Sequence, residues 1–185
     1  MKLDRQTTQW LAAVGLALFA AAAQAQDSLC PSPMTGQALA AQMNQLNWPE
    51  TEYVATHEPG MKKIYDKIPP NYMEQLKANP HALPWAQFAA HRNQETIDRV
   101  AGLVRDARAQ RVAGAFASAA WPQVQKALAQ DADFKEAAQR PKGTPLEGAQ
   151  RDPKRFDWKG LLAQRDTCQL TALLQAIQPE NTAAR

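Results

Sequence analysis

The sequence predicts an all-α fold: a small irregular bundle of four to five main helices, with a proline- and aromatic-rich excursion after the first and one disulfide. Three observations predict it. From residue 26 onward the chain holds 28 Ala but only 9 Val plus Ile; Ala is the strongest helix former, whereas β-branched residues favour strands. No stretch alternates apolar with polar residues, and no Asn-Gly or Asp-Gly pair marks a hairpin. Several stretches repeat apolar residues three or four apart, which is the spacing of one helix face.

Residues 27–34 read as a short arm with Pro31 and Pro33. Thr35 reads as the N-cap of a helix to about Leu46, with Leu39, Met43 and Leu46 on one face and Pro49 ending it. Residues 47–84 carry six of the 13 prolines, so only short helices fit, near 60–67 and 71–78. The longest helical stretch runs from Pro84, a residue suited to helix starts, to about Ala120. Ile97, Val100, Leu103, Val104 and Ala107 make its apolar face, and Glu95 stands four residues before Arg99 in the favourable order. Past Ala107 the stripe turns: Arg111 falls where the next apolar residue belongs, while Val112, Phe116 and Ala119 lie on a rotated face. Either the helix breaks near Gln110 or it bends around the core and meets two neighbours in turn.

Trp121-Pro122 restarts a helix with Val124 and Leu128 as its contacts, and Asp133 with Glu136 resembles a capping box. Residues 140–157 hold three prolines, two glycines and five basic residues without a period, which reads as a loop. A last helix is expected from about Trp158 to Gln178, with Leu162, Leu170, Leu173, Leu174 and Ile177 on a broad face and Cys168 at its side. The tail after Pro179 is polar.

Residues 1–25 have the three parts of a signal peptide: Lys2 and Arg5 at the head, an uncharged run of 14 residues from Trp10 to Ala23, and Ala23-Gln24-Ala25 as the cleavage site. The run falls short of the about 20 residues that span a bilayer. Asp27-Ser28-Leu29 lacks the small residue that lipidation at Cys30 would need. The expectation is export to the periplasm, with residues 26–185 forming one helical domain and no stable membrane insertion after cleavage. There Cys30 and Cys168 are expected to close one disulfide. Its loop of well over a hundred residues would contribute up to about 4–5 kcal/mol in the chain-entropy model.

The balance of 21 Lys+Arg against 18 Asp+Glu, net +3, gives no electrostatic footprint for nucleic acid. Phosphate loops, nucleophile elbows, zinc-protease and haem motifs are all missing, so no catalytic residue and no cofactor is assigned. His91 and Glu95 stand four apart and could offer two metal ligands, with His57 or His81 as a third; an exposed surface pair is the plainer reading, and no metal site is assigned. Glu50, Glu52, Glu58 and Glu74 are the carboxylates an envelope hydrolase would draw on, and nothing around them implies a raised pKa. Arg105 and Arg108 read as a solvated face, whereas Arg111, on the apolar side, needs a carboxylate or several carbonyls.

The excursion is the least ordinary segment. Trp48, Tyr53, Tyr65, Tyr72 and Trp85 are large amphipathic residues set among prolines. Such residues dominate binding hot spots, and prolines lower the ordering cost of a binding loop. Either they only pin the excursion to the bundle or they recognise a partner; with Arg111 they form the candidate partner-binding set. The functional expectation is an exported helical protein that binds another envelope or secreted protein, as an inhibitor, an immunity protein or an accessory subunit. An envelope hydrolase and a periplasmic metal or stress protein are the alternatives.

Overall fold

The computed structural model describes residues 30–177. The signal peptide expected at 1–25 and the tail after Pro179 lie outside them. The described residues form α-helices and one short 3-10 turn, with no strand. The helices are α1 (Gly36–Met43), α2 (Trp48–His57), α3 (Pro59–Tyr65), α4 (Pro70–Ala78), α5 (Trp85–Ala90), α6 (Gln94–Ser118), α7 (Trp121–Leu128), α8 (Lys135–Gln139), α9 (Leu146–Arg151), α10 (Trp158–Leu162) and α11 (Thr167–Ile177); the 3-10 turn is Pro80–Ala82.

The 25-residue α6 is the axis of the fold, and it runs through Gln110 without a break. Its rotated stripe reflects two neighbourhoods. Ile97, Val100, Val104 and Ala107 enter a cluster with Leu39, Met43, Leu46, Val54 and Trp85. Ala109, Val112 and Phe116 enter a second cluster with Val124, Leu128, Leu162, Leu170 and Leu173. Thus α1, α2 and α5 cover its first half, and α7, α10 and α11 its second. The Phe116 ring meets the Trp158 ring edge to face at 5.0 Å, and Trp158 Nε1 donates to the Pro153 carbonyl at 2.7 Å.

Local capping explains where the elements depart from the sequence expectation. The stretch expected to be continuous from Pro84 is cut at 91–93, where Asn93 accepts from the Thr96 amide at 3.0 Å and starts α6. The helix α2 was not expected. Asn47 and Glu50 form a capping box for it, and Pro49 stands in its first turn; the preceding helix ends earlier than expected, at Met43 with Asn44 as its C-cap, so Pro49 does not end it. The expected last helix is two: Asp166 and Gln169 exchange backbone-to-side-chain bonds at 2.8 and 3.0 Å and begin α11 afresh. The expected loop 140–157 contains α9, anchored by buried Leu146 and Ala149, while Gly143 takes the left-handed turn before it at φ 77°. Asp131, not Asp133, accepts the amides before α8; Asp133 pairs with Arg165, whose guanidinium lies over the Phe134 ring.

Cys30 and Cys168 form the expected disulfide, with Cα atoms 6.2 Å apart across 138 positions. It fastens the N-terminal arm to α11. A disulfide is the state such a pair keeps in an oxidising compartment. No described helix is long and apolar enough to cross a membrane.

Candidate functional site

Helices α2 to α5 fold the excursion into the walls of a groove of about 390 Å³. Its size lies within the range of about 300–1,000 Å³ usual for ligand pockets. From α2 it takes Trp48, Thr51 and Ala55; from α3 and the following turn it takes Met61, Ile64, Tyr65 and Ile68. Leu76 of α4 and Leu83, Trp85 and Phe88 in and before α5 complete the lining. Pro59 and Pro70 stand in the first turns of α3 and α4, where a helix tolerates proline, while Pro69-Pro70 and Pro80, following the two helices, prevent either from running on.

The groove brings together three of the candidate partner-binding residues: Trp48, Tyr65 and Trp85. The other three lie elsewhere. Tyr53 packs against the first core cluster and stacks on His57 with centroids 4.0 Å apart. Tyr72 is 53% exposed and lies outside the groove lining. Arg111 bonds to Glu50 at 2.9 Å, which supplies the carboxylate its position required. Sequence reasoning did not single out Met61, Ile64 and Ile68. Their signal was present: with Tyr65 they occupy positions i, i+3, i+4 and i+7, a stripe that a helix this short cannot bury alone.

Ile64 is 65% exposed, the most exposed of the large hydrophobic residues described. Two polar atoms in the lining residues, Thr51 Oγ1 and Trp85 Nε1, are buried without a hydrogen-bond partner among the described residues. Each such orphan costs about 1–3 kcal/mol. The Tyr65 hydroxyl donates to Glu52 at 2.5 Å; that bond, with burial behind it, pushes the phenol up to about 12.

The carboxylates that a hydrolase would use are engaged. Glu50 lies between Arg108 and Arg111. Arg108 is therefore not part of a solvated face: it is 3% exposed. Glu58 caps α3 and holds Arg99. Glu52 accepts from Tyr65, and Glu74 pairs with Lys77. Glu95 also reaches Arg99, at 3.8 Å. None of the three histidines joins a cluster of three metal-ligating groups among the described residues. The cluster that does form, Cys30, Asp166 and Cys168, has both sulfurs committed to the disulfide. Comparison with known protein families, curated proteins and solved structures finds no match to this chain.

Proposed function

We propose that this chain is an exported, periplasmic binding protein without catalysis of its own, whose groove over residues 48–88 receives apolar side chains of another envelope or secreted protein. An inhibitor, an immunity protein or an accessory subunit would work in this way. The observation that carries the reading is the groove itself. Trp48, Tyr65 and Trp85 converge there, and Ile64 stands exposed at 65% where nothing in the fold requires an apolar residue. Exposed apolar surface beside anchored aromatics is what interface hot spots look like before a partner covers them. The leader-like sequence of residues 1–25 and the Cys30–Cys168 disulfide support the compartment.

The test is a photo-crosslinking amino acid at position 64, expressed in the native host, with the adduct identified by mass spectrometry. The expected result is a covalent adduct to one defined envelope protein through an apolar segment. Crosslinks to nothing, or only to a random set of abundant proteins, overturn the reading.

A further inference from the structure

The Cys30–Cys168 bond has a third group beside it. Both sulfurs and one carboxylate oxygen of Asp166 lie within 4.8 Å of one another. A tetrahedral zinc ion, with bonds of about 2.3 Å to sulfur and about 2.1 Å to oxygen, sets such donors about 3.6–3.8 Å apart. The two cysteine Cα atoms are 6.2 Å apart, which leaves room for two separate thiolates to reach that spacing by side-chain rotation. Cys30 belongs to the N-terminal arm, and Cys168 stands 138 positions later, in the first turn of α11. Only the fold brings the three donors together.

Each donor is held from behind. Asp166 Oδ1 accepts the Gln169 amide at 2.8 Å, which orients the carboxylate, and Asp166 has no ion pair among the described residues. Gln42, buried, donates from Nε2 to Cys30 Sγ at 3.4 Å. Cys168 is the second residue of the 11-residue α11, where the free amides of a helix start favour a thiolate over a thiol. The cluster is also open to reagents: Cys30 and Asp166 line a surface cavity of about 370 Å³, with Asp98 and Arg105 on its walls. Asp98 accepts from Gln94 and Arg105 holds Asp106, each at 2.8 Å, so the guanidinium is engaged away from Asp166.

We propose that Cys30, Cys168 and Asp166 form a zinc site that opens when the disulfide is reduced. A dithiol supplies the electrons: its two thiols become a disulfide, and Cys30 and Cys168 each take up one electron and one proton. Zinc then binds both sulfurs as thiolates together with Asp166, releasing two protons, and water from the cavity takes the fourth position. Two thiolates suit either zinc or copper(I), and the carboxylate selects zinc. The ion replaces the covalent link between the arm and α11.

The full exported chain, reduced with a phosphine and kept free of oxygen, is titrated with zinc and, for a visible signal, with cobalt(II). Native mass spectrometry is expected to show one zinc per reduced chain with the loss of two protons, and cobalt to give a thiolate charge-transfer band. Zinc is expected to raise the melting temperature of the reduced chain, while the oxidised chain binds neither ion. Asp166→Asn keeps both cysteines and, checked for helicity by circular dichroism, is expected to weaken zinc binding by the reduced chain about tenfold or more. A reduced chain that binds no zinc, folded or unfolded, overturns the proposal. Zinc bound equally by the oxidised chain, or cobalt bound without the thiolate band, does so too, because either places the ion elsewhere. An Asp166→Asn chain that binds zinc as tightly as wild type removes the carboxylate and with it the site.

Discussion

Arg108 Nε stands 2.7 Å from Glu50 Oε1 inside the protein, where the two side chains are 4% and 2% exposed. The other oxygen of the same carboxylate is 2.9 Å from Arg111 and also accepts the Asn47 amide that starts α2. The Arg108 contact is charge against charge rather than an aligned hydrogen bond, since neither atom meets hydrogen-bond geometry. Burial pulls Arg108 below its ordinary value, and Glu50 works against that pull. One carboxylate thus caps a helix and ties α2 to α6.

Removing that carboxylate leaves a buried guanidinium with a second one beside it. Glu50→Ala is expected to cost about 3–5 kcal/mol in urea unfolding, because breaking a buried pair strands the remaining charge. The Glu50→Ala/Arg108→Ala double variant is expected to lose less than the two single losses together. A Glu50→Ala loss below about 0.5 kcal/mol, the level of an ordinary surface change, contradicts this account.

Glu58 makes stability depend on acid. Burial opposes its charged form, but the Met61 and Gly60 amides and the Arg99 guanidinium outweigh burial and hold its carboxyl below the usual 4.5. A folded value below the unfolded one adds stability at neutral pH that fades as pH falls through the folded value. Wild type is therefore expected to be more stable than Glu58→Gln at neutral pH, with the gap closing below about pH 4. Melting curves across pH measure this; a gap that stays constant into acid contradicts it.

Tyr65 gives the groove a spectroscopic marker. Its phenol is expected to ionise at about 12 rather than 10, mainly because it donates to Glu52 and also because it is partly buried. The associated stability is complete below pH 10 and is lost as pH rises toward 12. Ultraviolet titration should show one late phenolate that moves toward 10 in Glu52→Gln. The absence of a late-titrating phenolate contradicts the bond.

Opening the disulfide frees a loop of 138 positions. Reductant, or a Cys30→Ser/Cys168→Ser double variant, is expected to lower stability by up to about 4–5 kcal/mol. An unchanged melting curve argues that the bond contributes nothing.

Some of this was legible in the sequence because its cause is local. The helix class follows from Ala against Val and Ile. Thr35 does cap α1, accepting from the Ala38 amide at 3.1 Å. The demand of Arg111 for a carboxylate was readable, because a charge on an apolar stripe must be paired. Its partner was not: Glu50 lies 61 positions away, and only the crossing of α2 on α6 brings them together. Arg108 looked like a surface residue for the same reason. The breaks at Asn93 and Asp166 come from single side chains that outcompete helix continuation, a weak signal beside a long apolar period. Leu146 and Ala149 form α9 because the second core cluster accepts them; tertiary burial there overrides a proline- and glycine-rich composition. Within the groove, the aromatics were noticed for their type, while the aliphatic stripe of α3 was overlooked despite its spacing.

The most direct test of the central claim, that the groove is a recognition surface, is an Ile64→Asp variant of the exported chain. Partner retention from the native envelope is measured beside its melting temperature. The residue is exposed, so the melting temperature is expected to match wild type while the partner defined by crosslinking is lost. A folded Ile64→Asp protein that keeps that partner at full yield contradicts the claim.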